Sequence, residues 1–243
     1  MSAASPTRGA LPVAGRILRT IRGDRRTVAL VLVVPAFILF LFGEVFVRPE
    51  PISHIILAVI VFVLTYILTA IGFLRERTAG TLKRLLMSPA SRSGLVVGYV
   101  LGYGALAVVQ SLVLLLAAVA LLDVSFANGV ALFVAVELLG ALTALGTGVV
   151  LSLFTDNEFQ AIQLIPVVIT PQVVLGGTFR PVSELPAYLE YPALVMPVTH
   201  LVRAMEYVVH GGDAGDFWVA AGALVLFAVG AVGLATLVVR RAS

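Results

Sequence analysis

The chain has 243 residues, of which 60% are hydrophobic and only 12% charged, against about 25% charged residues in an ordinary soluble domain. A water-soluble core of this size cannot absorb that much apolar surface, so the excess faces lipid. The absence of cysteine excludes disulfides, thiolate metal sites and cysteine nucleophiles, and the three histidines (His54, His200 and His210) show no i, i+4 pair for a helical zinc site.

Residues 1–12 are small and polar, with Pro6, Gly9 and Pro12, and read as a disordered tail. From Val13 to Arg26 the pattern is helical. At about 100° per residue, Val13, Ala14, Ile17, Leu18 and Ile21 fall on one side, and Arg16, Arg19, Arg22 and Arg26 on the other. A basic amphipathic helix of this kind lies in the interface of an anionic leaflet; the alternative is an arginine cluster that only sets topology. Thr27–Val47 is the first apolar run long enough for a bilayer core of about 30 Å. It exceeds a signal-peptide core and no A-x-A site follows, so it is expected to be a retained helix, kinked at Pro35. Arg48–Pro51 makes a short turn.

Ile52–Leu74 is the second span. A polar segment, Arg75–Arg92, follows. Gly94–Leu122 is the third span, Val130–Phe154 the fourth, Phe159–Thr178 the fifth with Pro166 and Pro171 inside it, and Phe217–Val239 the sixth. Residues 179–216 are of mixed character. With the N-terminus inside, 13 of the 16 basic residues lie on the inner side, leaving only Arg48, Arg180 and Arg203 outside. The positive-inside rule therefore predicts an all-α membrane protein of six spans, both termini cytoplasmic, with 13–243 as one transmembrane domain.

The polar segment RERTAGTLKRLLMSPASR carries its own pattern. Thr78, Ala79, Leu82, Leu85 and Leu86 share one arc of a helical wheel, and Glu76, Arg77, Lys83 and Arg84 the opposite one. Ser88-Pro89 stops the helix and Ser91 can cap the next. A short helix between two spans is a lever on which a partner can push; the plain alternative is a solvated loop.

Polar groups inside the spans need an account. Glu137 in span four costs about 2.5–3.5 kcal/mol if charged in lipid, so it faces protein or water. It is either a pathway or gate contact or a protonated side chain bonded to a neighbouring helix. Gln110 in span three, and Gln160 and Gln163 in span five, have the same two readings, with helix packing favoured. Gly94, Gly98 and Gly102 line one face of span three, a stripe that lets a second helix approach closely.

Glu76, Gly80-Thr81-Leu82, Lys83-Arg84, Leu85-Leu86 and Ser88-Pro89 together resemble the segment between spans two and three of ABC-2 type transporter permeases. A second block, GGTFRPVSELPAYLEYPALVMPVTHLVRAM, is similar to the region after span five of the same family, through Gly176-Gly177, Phe179, Pro181, Leu185-Pro186, Pro197, Thr199 and Arg203. The resemblance implies that the helix Glu76–Met87 is a coupling helix. Its Glu76, Arg77, Gly80, Thr81, Leu82, Lys83, Arg84 and Leu85 would meet an ATP-binding subunit. It implies that 13–26 is the interfacial connecting helix, that 180–210 holds short outer helices, and that Phe179 and Arg180 belong to an outer gate. Arg180 stands where a hydrophobic residue is more usual. Some members of that family carry a large external domain between spans one and two, and the short Arg48–Pro51 turn leaves no room for one, which favours the compact subgroup of drug-resistance and polysaccharide or lipid exporters.

No G-x-x-x-x-G-K-[ST] occurs, so ATP and its Mg²⁺ are expected on a separate chain, and this one is expected to bind no cofactor or metal and to be no enzyme. The expected partners are the ATP-binding subunit, a second permease subunit and the plasma-membrane bilayer; no nucleic acid is expected. The rival class is a membrane-integral scaffold or enzyme without a motor. An enzyme would cluster His, Asp or Glu at one depth, whereas the acidic residues here are dispersed.

Overall fold

Helix α3 is the hub of the molecule. In the computed structural model, which describes residues 9–46, 50–87 and 91–241, the helices are α1 (Ala10–Gly23), α2 (Arg25–Val45), α3 (Glu50–Thr78), α4 (Thr81–Leu86), α5 (Arg92–Leu122), α6 (Val130–Ser152), α7 (Glu158–Val173), α8 (Ala187–Leu194), α9 (Pro197–His210) and α10 (Ala214–Arg241). Leu57, Val61, Phe62, Tyr66 and Ala70 of α3 are fully buried, packed among α5, α6 and α9. α2 and α7 sit at the periphery; 17% of the spanning stretch of α2 is buried, against 56% for α3.

Among the described residues, six helices are long and apolar enough to cross a membrane: Val28–Val45, Ile52–Thr78, Ser93–Leu122, Val130–Ser152, Glu158–Thr178 and Ala214–Leu234. They match the six predicted runs to within a few residues. Leu30, Val33 and Phe37 of α2, Leu116 of α5, and Leu226 and Val229 of α10 are exposed, as side chains facing lipid would be. Lipid is as apolar as leucine, so cohesion between such helices comes from close packing. Gly148 of α6 shows this: a Cβ there would stand 2.7 Å from the Tyr66 carbonyl oxygen of α3.

Helix termini follow local chemistry. The Ser91 side chain accepts from the Gly94 amide at 3.0 Å and starts α5. Asn157 accepts from the Gln160 amide at 3.0 Å while Gln160 Oε1 accepts from the Asp156 amide at 2.8 Å, a reciprocal cap on α7. Gln160 is thus a capping residue. Pro35, Pro166 and Pro171 lie within helices, as membrane helices allow. α7 passes into one π-helical turn, Val174–Thr178, and a short 3₁₀ turn, Val182–Glu184, leads to α8.

Two expectations are corrected. Ala10–Pro12 are not tail but the first turn of α1, where proline's missing N–H would have had no helical partner anyway. The predicted helix Glu76–Met87 is not one helix. α3 runs on to Thr78, the chain turns at Ala79-Gly80, and α4 occupies Thr81–Leu86. Gly80 is left-handed at φ 69°, a conformation only glycine adopts freely, and this breaks the helix. The expected tail over 1–8, the Ser88-Pro89 stop and the first half of the expected Arg48–Pro51 turn lie outside the described residues, while Glu50 and Pro51 of that turn instead open α3.

The helices run between two ends. α1, the α3–α4 turn, α4 and the α6–α7 turn gather at one, the basic end. The α5–α6 turn, α8, α9 and the start of α10 gather at the other, the capped end.

Candidate functional site at the basic end

Three consecutive side chains at the end of α3 point in three directions, because neighbours on a helix diverge by about 100°. Arg75 reaches Glu158 at the start of α7 through two hydrogen bonds, Nε to Oε1 at 2.8 Å and Nη2 to Oε2 at 3.0 Å. Glu76 accepts from Arg16 Nη2 of α1 at 2.6 Å and from the Tyr99 hydroxyl of α5. Arg77 donates to the buried Thr155 carbonyl beyond α6 and stands 3.7 Å from Asp156. One helical turn of α3 is therefore tied to α1, α5, the α6–α7 turn and α7.

The three ties differ in environment. Arg16 and Glu76 are 30% and 16% exposed, so their pair is partly sheltered from solvent and is screened by salt less than a fully exposed pair, though still measurably. Arg75 and Glu158 are about half exposed, in the range where an ion pair contributes about 0–1 kcal/mol. Arg77 acts mainly as a cap on a buried carbonyl at the C-terminal end of α6.

α1 is seated by close packing as well as charge. Its Val13 and Ile17 bury against α5, where Gly98 and Gly102 leave room. A Cβ on Gly98 would lie 2.6 Å from Val13 Cβ and 2.8 Å from the Ala10 carbonyl oxygen, and one on Gly102 2.9 Å from Ile17 Cβ. The expected glycine stripe is a packing surface, and its partner is α1. The apolar face of α1 therefore docks on its own chain rather than on lipid, while Arg19 and Arg22 on its other face are exposed; the expected helix over 13–26 ends at Gly23, so Arg26 lies instead in the first turn of α2, also exposed.

α4 hangs from this assembly. Gly80 makes the turn, and the Thr81 hydroxyl accepts from Arg84 Nη2 at 3.3 Å. Leu85 is partly buried against the cluster of Val13, Ile17, Phe73, Tyr99 and Tyr103. Arg84 and Met87 are exposed, Met87 at 79%. The side chains of Leu82, Lys83 and Leu86 lie outside the described residues. The predicted contact set therefore divides: Glu76 and Arg77 are engaged within the chain, and Gly80, Thr81, Arg84 and Leu85 form the perched turn.

The candidate pathway residues also divide. Glu137 is fully buried within the chain against Ser111 of α5, with no well-formed hydrogen bond to either carboxylate oxygen among the described residues. Gln110 is 1% exposed, beside Thr65, Thr69 and Tyr103. Gln163, by contrast, is exposed on α7, on one face with Phe159, Pro166, Val167 and Thr170. Phe179 is 78% exposed at the capped end, and Arg180 pairs with Glu184 at 3.1 Å. Two apolar cavities open on the flanks of the bundle. One of about 370 Å³ lies between α5 and α6, lined by Thr65, Leu101, Gly104, Val108 and Ala141. The other, of about 400 Å³, is lined by Tyr66, Thr147, Phe154, Phe227 and Leu234.

Sequence reasoning missed the fan of Arg75, Glu76 and Arg77. The available signal was Gly80: a glycine after a helical run marks its C-terminal cap and assigns the preceding arginines to the last turn.

Residues 13–210 match the family model described as ABC-2 type transporter. ABC transporter G family member 20 of Dictyostelium discoideum is 31% identical over 156 residues, covering 63% of this chain and 21% of that protein. The probable multidrug ABC transporter permease YbhR of Escherichia coli strain K12 is 27% identical over 153 residues, covering 63% of this chain and 42% of YbhR. The inner membrane transport permease YhhJ of the same strain is 26% identical over 150 residues, covering 61% and 40%. The matched stretch thus spans less than half of each of these relatives. With the family match running from α1 to the end of α9, over a chain with six apolar helices, this protein belongs to the ABC-2 type transporter family.

Proposed function

We propose that the chain is the membrane subunit of an ATP-driven exporter, with both termini and the basic end in the cytoplasm of a plasma-membrane protein. A separate ATP-binding subunit, carrying ATP and Mg²⁺, presses on α4. The observation that carries this reading is the perch of α4 on the ties of Arg75, Glu76 and Arg77. A push on α4 enters α3, the most buried span, and is shared at once with α1, α5 and α7. The exposed Arg84 and Met87 are the contact surface, and Glu76 and Arg77 pass the displacement inward. The concentration of arginine and lysine at that end supports the orientation.

A second copy of the chain, or a homologue, covers α7. Gln163 and Thr170 face outward at membrane depth, where lipid cannot satisfy an amide. The substrate path runs along this face between the two subunits, with Phe179 and Arg180 at its outer mouth. The apolar spans and flanking cavities suit an amphiphile, such as a drug, lipid or lipid-linked glycan. Glu137 and Gln110 serve packing inside each subunit, because both are enclosed by their own chain.

The test is co-purification with an ATP-binding subunit from native membranes. The wild-type chain retains the ATPase, and the Arg84→Glu/Met87→Asp variant loses at least about tenfold of it, as reversal of charge and apolarity at a contact demands. Equal retention by the variant would overturn the assignment of α4. Failure of any ATPase to associate would overturn the exporter reading itself.

A further inference from the structure

Two of the three histidines, 156 positions apart in sequence, meet at the capped end. His54 Nδ1 of α3 and His210 Nε2 of α9 are 3.1 Å apart, with the rings nearly perpendicular at 84°. His54 is 8% exposed in the second turn of α3, and His210, the last residue of α9, is open to solvent.

Both rings stand on fixed backbone. The Ala127 and Asn128 amides donate to the Val209 and Val208 carbonyls at 3.3 and 3.2 Å, and Asn128 Nδ2 donates to the Tyr207 carbonyl at 2.7 Å. The α5–α6 turn thus straps the end of α9 in place. The Gly211 amide closes the helix on Tyr207 at 2.9 Å, so His210 is held at a helix terminus rather than on a loose loop. No described carboxylate pairs with either imidazole. Asp213, three residues on, instead caps α10 by accepting from the Asp216 amide at 3.2 Å.

We propose that His54 and His210 form a two-histidine site for a divalent late transition-metal ion such as zinc, bridging α3 to α9, with water completing the coordination. Bond lengths of about 2.0–2.1 Å to imidazole set two nitrogens of one tetrahedral or cis-coordinated ion roughly 2.9–3.4 Å apart. The observed separation falls within that range, and turning the two rings so that both nitrogen lone pairs meet on one ion converts the histidine–histidine contact into a chelate. Neutral imidazoles suit zinc, copper and nickel, and the hard magnesium and calcium ions are poor guests for such a site. The helices are already packed together, so binding adds a crosslink without a large ordering cost.

The experiment is zinc titration of the purified full chain, free of any histidine tag, followed by calorimetry and by thermal midpoint. Wild type binds one zinc per chain and melts at a higher temperature when loaded, while Mg²⁺ has no effect. His54→Gln and His210→Gln each weaken zinc binding by at least about tenfold and abolish the thermal gain. His200→Gln leaves both intact, since His200 Nε2 is engaged with the Leu194 carbonyl at 2.9 Å. Because His210 is exposed, its variant stays informative even where His54→Gln folds poorly. Zinc binding by wild type that is no tighter than by His210→Gln, or a stoichiometry carried equally by His200, would overturn the proposal.

Discussion

The two ends of the molecule are held together by different chemistry. At the basic end, long charged side chains bridge separate elements: Arg16 to Glu76 at 2.6 Å, Arg75 to Glu158 at 2.8 Å, and Arg77 to the Thr155 carbonyl. At the capped end the Arg180–Glu184 pair stays within one turn, and the ties between elements are short and neutral. Thr199 donates to the Ala193 carbonyl at 2.6 Å, His200 bonds the Leu194 carbonyl, and backbone amides strap α9 to the α5–α6 turn. Long ionic ties tolerate relative movement and can be re-formed; short buried ones fix a geometry. In the proposed cycle the basic end is the one that moves and the α8–α9 cap the one that keeps its shape.

The contrast can be broken most severely at the α1–α5 seat. Gly98→Leu puts a side chain where even a Cβ would touch Val13 and the Ala10 carbonyl, so it should undock α1. The expected loss is about 3 kcal/mol, at the upper end for overpacking, seen as early proteolytic cleavage within 10–23 and a lowered midpoint of chemical unfolding in detergent. Next comes Glu76→Gln, which leaves Arg16 half-buried without its counter-ion. A loss of about 2 kcal/mol is expected, and it should shrink in high salt.

Thr199→Val tests the other end. Removing a buried hydroxyl donor from the Ala193 carbonyl should cost about 1 kcal/mol, and its insensitivity to salt sharpens the difference between the ends. The smallest effect is expected from Arg75→Ala. Its half-exposed pair with Glu158 should be worth less than about 1 kcal/mol and vanish in high salt. Comparable salt dependence at Thr199 and Glu76 would remove the distinction.

Much of this was readable in the sequence. Run length and hydropathy define the six spans, because a bilayer imposes length on every helix that crosses it. Ser91 announces the start of α5, and the Gly98–Gly102 spacing announces a close helix contact. The identity of that contact was not readable: periodicity shows that α1 has an apolar face but not whether lipid or α5 covers it. The fate of Glu76 and Arg77 was hidden for a related reason. A wheel drawn through 76–87 assumes one continuous helix, and Gly80 turns the axis midway. His54 and His210 give no local signal at all, since only the tertiary fold brings them together.

The central claim is that α4 is the surface on which the motor acts. The chain has no cysteine, so single cysteines carrying a photo-crosslinker report position without background. Met87→Cys at the basic end and Tyr188→Cys at the capped end are both highly exposed and form the decisive pair. The account predicts that the Met87→Cys probe crosslinks to the co-purifying ATP-binding subunit and the Tyr188→Cys probe does not. Crosslinking from Tyr188→Cys with none from Met87→Cys would contradict it.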